Sequence, residues 1–175
     1  MTLAILVLIS LMWIPVALLF LGKGEAKGTG AITAFVGIAV LIGAFLQTAI
    51  FKDGFTAGLL FAHGLLYCTV AYALLAGLGD LRSVGNVSLV VAIISAIYMV
   101  IFYIGGTTAD NKILVERSDY FAFACLGYTV LTIEVWLNSY GKLPASVLAW
   151  SLILWTPIGL WIPAFMLMAK GTLPF

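Results

Sequence analysis

The stretch LAILVLISLMWIPVALLFL, residues 3–21, carries no charged side chain over its whole length. A helix needs about 20 apolar residues to cross a hydrocarbon core of roughly 30 Å, so this stretch is long enough to span a membrane. The rest of the chain is similar, because 64% of its 175 residues are hydrophobic and only 9% are charged. Soluble domains carry about 25% charged residues. We therefore predict a protein whose solvent is mostly lipid.

Short connections rich in charge, Gly, Pro or Asn divide the chain into six apolar stretches of similar length. These stretches are Leu3–Leu21, Gly30–Phe51, Ala57–Gly77, Val87–Ile104, Tyr120–Leu137 and Ala145–Ala169. None of them alternates apolar and polar residues as the strands of a membrane barrel do. The predicted fold class is an all-α integral membrane protein of six transmembrane helices, forming a single domain over residues 1–175.

An even number of helices places both termini on one side of the membrane, which we call side A; the opposite side is side B. Side A then carries Lys52, Lys112, Arg117 and Lys170, and side B carries Lys23, Lys27, Arg82 and Lys142. The totals are equal, so the count of basic residues does not decide the orientation. The first helix decides it, because Lys23 and Lys27 follow it directly and no basic side chain precedes it. We predict that both termini lie outside.

Two ionisable side chains, His63 and Glu134, fall well inside the apolar stretches. They lie toward opposite faces of the membrane, so a catalytic pair is not expected. No metal-ligand spacing, nucleophile motif or phosphate-binding loop occurs, and Cys68 and Cys125 suit the packing of helices. We predict that the chain is not an enzyme and holds neither metal nor cofactor. Its net charge of +1 predicts no nucleic-acid partner.

Ionisable residues inside a membrane are candidates for function, and each of these two also has a structural alternative. Glu134 is one turn from the side B interface, near Asn138 and Lys142, where a carboxylate can reach water. His63 can be a neutral imidazole bonded to a neighbouring helix. For Glu134 and for His63, the residues alone do not decide between this structural role and a role in lining a pore.

Three helix faces are candidates for lining a narrow passage. They are Leu6, Ile9 and Trp13 on the first helix, Phe61 and Leu65 on the third, and Tyr128, Leu131, Thr132 and Val135 on the fifth, with Glu134 at its edge. The residues by themselves favour plain helix packing for these stripes. Pro15, Pro157 and Pro163 are expected to kink the first and sixth helices and to free backbone carbonyls.

Three segments occur in an order and spacing typical of one family. They read KGTGAITAFVG at residues 27–37, GLLFAHGLLY at residues 58–67 and WIPAF at residues 161–165. Together they resemble the bacterial urea/amide channel family, the UreI/AmiS group of six-helix inner-membrane proteins. This resemblance extends over nearly the whole chain, and it changes the expectation from a membrane protein to a channel.

The resemblance implies a homohexamer whose protomers each have a pore for urea or short-chain amides moving down their gradients. It also implies termini outside, a functional link to a cytoplasmic urease or amidase, and two inverted three-helix halves. A faint echo between LAILVLIS and LVVAIIS agrees with the inverted halves. The pore residues that the resemblance carries over are Leu6, Ile9, Trp13, Phe61, Tyr128 and Leu131.

The chain departs from the family at several positions. Leu65 and Thr132 stand where the urea-conducting members carry Tyr and Trp, and Trp155 stands where the acid-gated members carry a Glu. The acid-gated members also have a long outer loop rich in His, whereas the connection at residues 52–56 is short and has none. We therefore predict a pore for urea or amides that is not gated by acid.

The polar residues His63, Glu134 and Trp155 are the candidates for a polar pore group or a gate. The alternative function is a proton- or ion-coupled transporter of small solutes that uses His63 or Glu134. The two functions differ in whether solute flux responds to ionophores and to pH.

Overall fold

The computed structural model describes residues 2–107 and 113–175, and most of these residues are helical. The helices are α1 (Thr2–Phe20), α2 (Ala26–Ala49), α3 (Gly54–Ala76), α4 (Arg82–Ile104), α5 (Asp119–Ser139), α6 (Ala145–Trp155) and α7 (Ile162–Lys170). A π-helical segment, Thr156–Trp161, joins α6 to α7, so these form one interrupted sixth helix. Within the described ranges, six helices are long and apolar enough to cross a membrane. The predicted six-helix, all-α membrane fold is confirmed.

The six helices form a closed ring in sequence order, because each packs on the next and the sixth packs on α1. Short connections favour such antiparallel neighbours. The most extensive pairs are α2 with α3 and α4 with α5. The prediction of two inverted three-helix halves is not tested by this arrangement and stays a prediction.

Small residues let α2 and α3 approach closely. A Cβ atom added to Gly37 would lie 2.8 Å from Cys68 Sγ and 3.0 Å from the Cys68 backbone nitrogen. A Cβ atom added to Gly64 would lie 2.9 Å from a methyl carbon of Leu41. These distances leave no room for a side chain, so the two glycines set the separation of the helices.

Asp53 closes the short connection between α2 and α3. It is the N-cap of α3, and its carboxylate accepts hydrogen bonds from the Thr56 backbone N–H at 2.9 Å and from Gln47 Nε2 at 2.8 Å. Burial by itself raises the pKa of the Asp53 carboxyl, but the hydrogen bonds from Thr56 and Gln47 outweigh burial, and the pKa lies below its usual value. The ionised cap therefore stabilises the folded state.

We expect Asp53→Ala to lower the free energy of unfolding by about 1 kcal/mol at neutral pH, as other N-cap losses do. The folded-state pKa is depressed, so the contribution is present above the unfolded-state value of about 3.9 and is lost as pH falls through the folded-state value. Unfolding of the detergent-solubilised proteins should show that the difference in free energy of unfolding between wild type and Asp53→Ala becomes smaller in acid. A difference that does not change with pH would contradict the assignment. Asp53→Asn keeps the cap without the charge and should lose less stability than Asp53→Ala.

The longest connection, between α4 and α5, lies on side A. Its described part contains two short antiparallel strands, β1 (Gly106–Thr107) and β2 (Ile113–Val115). Residues 108–112, which include the Lys112 of the predicted charge count, lie outside the described residues. The strands are outside the membrane-length helices, and Leu114 and Val115 of β2 line a vestibule at the side A end of the ring.

The first and sixth helices both contain proline, but only the sixth is interrupted. The first helix continues from Thr2 to Phe20 through Pro15 as a single helix. The sixth is interrupted by the π-helical segment, in which Pro157 is an early residue and after which Pro163 begins the next turns. π-helical turns occur mostly as local interruptions and frequently lie at functional sites.

Pro163 has no N–H, so a backbone carbonyl of the preceding turn loses its helical partner. Two tyrosines of α5 bond carbonyls of that turn: the Tyr120 hydroxyl donates to the Ile158 carbonyl, and the Tyr128 hydroxyl donates to the Gly159 carbonyl at 2.7 Å. Freed carbonyls in a membrane need such partners, because lipid offers none. The interruption thereby holds Tyr128 in a defined position.

Candidate transport pathway

A series of cavities runs through the ring from side A to side B. A vestibule at the side A end leads to an outer cavity of about 360 Å³, and an inner cavity of about 100 Å³ leads to a mouth at side B. The vestibule and the outer cavity share Thr56, Phe102, Phe121 and Leu167. The inner cavity and the side B mouth share Leu81, Asn138 and Ser139. Each neighbouring pair of cavities therefore meets at common side chains.

The lining of the outer and inner cavities is almost entirely apolar or aromatic. Helices α1, α3 and α5 supply most of it, and α2 supplies none. Among the described residues, no Asp, Glu, Lys or Arg side chain lines either cavity. A small uncharged molecule can enter such a space, whereas an ion would lose its hydration without replacement.

The outer and inner cavities meet at four side chains, which we call the waist: Trp13, His63, Tyr67 and Tyr128. Tyr128 makes edge contacts with Trp13 and His63, with ring centroids 6.0 Å and 5.5 Å apart. The Tyr67 ring lies 5.9 Å from the His63 ring. Each of the four residues lies near the middle of its helix, so the waist is near the centre of the bundle.

His63 both contacts a neighbouring helix and lines the waist. Its Nε2 lies 3.2 Å from Ser95 Oγ of α4, and its Nδ1 lies 3.4 Å from the Tyr67 hydroxyl. All three side chains are buried. The sequence leaves two alternatives open for His63, a packing histidine and a cavity residue. In this structure both apply, because the imidazole contacts a neighbouring helix and also lines the cavities.

The predicted stripes of α1 and α5 come together in the ring. The predicted residues that line the outer or inner cavity are Leu6, Ile9, Trp13, His63, Tyr128, Leu131, Thr132 and Val135. Leu6 and Ile9 lie on the outer side of the waist, and Leu131 and Thr132 lie on the inner side. The order of these residues along their helices matches the order of the cavities across the ring.

The predicted pair on α3, Phe61 and Leu65, lies elsewhere. Leu65 is 56% exposed on the outer surface, and Phe61 packs edge-on against Phe45 of α2 with ring centroids 4.9 Å apart. Neither residue lines the outer or the inner cavity. Residues two positions apart on a helix point about 160° apart. Because His63 faces the waist, its neighbours at 61 and 65 face away from it.

Glu134 and Trp155, the other polar candidates, also lie outside the two cavities. Glu134 Oε1 accepts a hydrogen bond from Ser151 Oγ at 3.0 Å, which joins α5 to α6. The Trp155 ring lies against Gly127 and Gly159, where an added Cβ atom would overlap it. These two side chains connect the fifth and sixth helices, and the passage does not contact them.

Tyr67 is the waist residue that sequence reasoning missed. It lines both cavities and is 4% exposed. The available signal was its spacing, because Tyr67 follows His63 by four residues and side chains at that spacing share a helix face. The pairing of Phe61 with Leu65 has the same spacing, so spacing alone could not choose between the two faces.

A ring of six membrane-length helices around a series of apolar cavities with shared lining side chains is the architecture of a membrane transport protein. The chain belongs to the AmiS/UreI family of transporters, whose profile matches residues 1–171. The resemblance found in the sequence is thereby confirmed. The family consists of transporters, which confirms the prediction that the chain is not an enzyme.

Solved structures show the same fold. The chain is similar to the crystal structure of the urea channel from Helicobacter pylori, with a TM-score of 0.82 and 22% identity over 98% of this chain and 99% of that chain. It is also similar to the cryo-EM structure of the Helicobacter pylori urea channel in a closed state, with a TM-score of 0.78 and 21% identity over 99% of this chain and 100% of that chain. No curated protein matches the chain.

Proposed function

We propose that the protein is a passive channel for urea or short-chain aliphatic amides in a bacterial inner membrane. The observation that carries the proposal is the series of cavities through one protomer, of which the two central ones share four ring-bearing side chains. Membership in the family and the urea channel named for both similar structures support the choice of solute. The proposed pore residues are Leu6, Ile9, Trp13, His63, Tyr67, Tyr128, Leu131 and Thr132.

Urea and small amides suit this passage because they are flat, small and uncharged. Such a molecule can move between ring faces without losing a hydration shell as tightly bound as that of an ion. The absence of charged side chains from the described lining of both cavities favours passive movement, since no group other than His63 there can carry a coupling ion. Phe61, Leu65, Glu134 and Trp155 are not part of the proposed pore.

We further propose a homohexamer with both termini outside and one pore in each protomer, so that residues 1–175 act as one transport domain. A cytoplasmic urease or amidase would consume the solute that enters. Large apolar side chains on the outside of the ring, such as Phe35, Phe45 and Leu65, suit contact with lipid or with a second protomer. Native mass spectrometry of the detergent-solubilised protein would count the protomers, and a count other than six would contradict the assembly.

Proteoliposomes test the proposed function directly. After a hyperosmotic pulse of urea or acetamide, vesicles that contain the protein should shrink and then reswell faster than empty vesicles. The solute enters through the apolar passage and water follows it. Light scattering measures the rate of reswelling. Equal rates with and without protein for urea, formamide and acetamide would contradict the proposed class of solute.

The position of His63 in the waist favours a second candidate, a proton-coupled transporter. In that case an imposed pH gradient would drive solute accumulation, and a protonophore would abolish it. A passive channel equilibrates the solute at the same rate with or without the protonophore. Uptake of radiolabelled urea or acetamide against its gradient therefore separates the two candidates.

We expect solute permeability to change by less than about twofold between about pH 5 and 7.5, because the short α2–α3 connection has no His to titrate in that range. At the side B mouth, hydrogen bonds from Arg82 lower the pKa of Asp80 to about 2, so this carboxylate stays ionised throughout. Reswelling rates measured across the pH range check the expectation. Steep activation by acid would contradict it and would point to His63 or Glu134 as the sensor.

A further inference from the structure

The polar groups of the waist differ in how firmly they are held. The Tyr128 hydroxyl donates to the Gly159 carbonyl at 2.7 Å, an ordinary hydrogen-bond distance. The Tyr67 hydroxyl has two weaker side-chain contacts: His63 Nδ1 lies at 3.4 Å, which is long for a hydrogen bond, and the Trp13 indole also reaches the phenol oxygen. Tyr67 is also 4% exposed and lines both cavities. A buried hydroxyl with a weak partner gains free energy when a passing molecule bonds it.

His63 determines what the Tyr67 hydroxyl can offer to such a molecule. No carboxylate among the described residues lines either cavity, so an imidazolium there would lack a counter-ion, and the neutral ring is favoured. A neutral imidazole has one donor nitrogen and one acceptor nitrogen. Its two polar neighbours are Ser95 on Nε2 and Tyr67 on Nδ1, so one of them must donate and the other must accept.

The two tautomers therefore leave the Tyr67 hydroxyl with opposite hydrogen-bonding roles toward a solute. When Nε2–H donates to Ser95, Nδ1 accepts the Tyr67 proton, and the phenol oxygen is left to accept from a solute N–H. When Ser95 donates to Nε2, Nδ1–H donates to the Tyr67 oxygen, and the phenol proton is left to donate to a solute carbonyl. The two states hold the same number of protons and differ in which imidazole nitrogen carries one and in which way the two hydroxyl groups point.

Building on the proposed channel function, we propose that Tyr67, held by His63 and Ser95, is the specificity-determining residue of the waist and favours solutes with both N–H donors and a carbonyl acceptor. Urea and primary amides have both groups in one plane. Elsewhere the described cavity walls are almost entirely apolar, so one hydrogen bond at the waist offsets part of the cost of leaving water. A solute without these groups gains nothing from Tyr67.

Tyr67→Phe tests the proposal, because it removes the hydroxyl and keeps the ring. We expect urea and acetamide permeability in proteoliposomes to fall about tenfold, the effect of losing one hydrogen bond of ordinary strength at the barrier. The matched control is Tyr72→Phe, the same substitution on the same helix at a side chain that is 65% exposed. The control should conduct like wild type, and size-exclusion profiles should be the same for all three proteins.

A second pair of variants keeps the test decisive if Tyr67→Phe fails to assemble. His63→Asn retains a hydrogen-bonding group close to the position of Nδ1, and His63→Leu has none. We expect His63→Asn to keep a clearly larger share of urea permeability than His63→Leu. Equal permeability of the two His63 variants would overturn the role of the cluster.

The outcomes separate this inference from the function on which it rests. If wild type conducts and Tyr67→Phe conducts equally well, the role of Tyr67 is overturned and the channel stands. If Tyr72→Phe loses as much permeability as Tyr67→Phe, the loss does not come from the waist and the inference is overturned. If wild type itself conducts neither urea nor acetamide, the proposed function fails and the inference fails with it.

Discussion

Leu66→Trp is expected to lower urea and acetamide permeability by at least about tenfold, because the added ring bulk fills the narrow part of the passage. Leu66 is 4% exposed and lines the inner cavity, whose volume is about 100 Å³. An indole in place of the isobutyl group would occupy much of that space. The solute would then have no continuous path from the waist to the side B mouth.

Leu65→Trp is the matched control for that block. Leu65 is the adjacent residue on the same helix, it receives the same substitution, and it is 56% exposed on the outer surface. We expect its permeability to stay within about twofold of wild type, since a side chain on the outer surface does not reach the passage. Light scattering gives both rates, and size-exclusion chromatography confirms equal assembly. A block by Leu65→Trp with free passage through Leu66→Trp would reverse the assignment of the α3 faces.

Gly127→Ala is expected to lower the free energy of unfolding by about 2 kcal/mol, as overpacking of a filled interior does. An added Cβ atom would overlap the six-membered ring of Trp155, which lies between α5 and the π-helical segment. To make room, the ring must leave its position against Gly159 or the helices must separate. Denaturant unfolding in detergent measures the loss.

The cause is tested by removing the ring. In a Trp155→Leu background, Gly127→Ala should cost less than about 0.5 kcal/mol, because the overlap is gone and Ala favours helix more than Gly does. Gly54→Ala is the control for the glycine substitution, since nothing lies within 4 Å of a Cβ atom added there. An equal loss from Gly127→Ala with and without Trp155 would show that the contact is not responsible.

Much of the fold follows from composition and charge. Six apolar stretches separated by short polar connections can cross a membrane only as helices, because each helix satisfies its own backbone hydrogen bonds. The helices found begin and end within a few residues of those stretches, and the proline-rich sixth stretch contains the interruption. The stripes on α1 and α5 could be drawn from the sequence as candidates, since their large apolar residues repeat at helical spacing, but the residues by themselves favoured helix packing over a place along the cavities.

The face of α3 was not predictable in the same way. This helix is apolar on all sides, so Phe61 with Leu65 and His63 with Tyr67 are equally good pairs at a spacing of four residues. Only one pair can point inward, because the two faces are about 160° apart. In the folded chain His63 lies against Ser95 of α4, Tyr67 lines both cavities and Leu65 is exposed on the outside of the ring.

The sequence by itself determined that the protein lies in a lipid membrane, how many helices it has and to which family it belongs, because each depends on hydrophobicity and residue order along the chain. Only the tertiary structure decided which side chains meet. Glu134 lies against Ser151 and Trp155 lies against Gly127, whereas Trp13, His63 and Tyr128 converge from three helices with Tyr67. In lipid, apolar surface has no preferred side, so packing and hydrogen bonds between helices set the rotation of each helix about its axis.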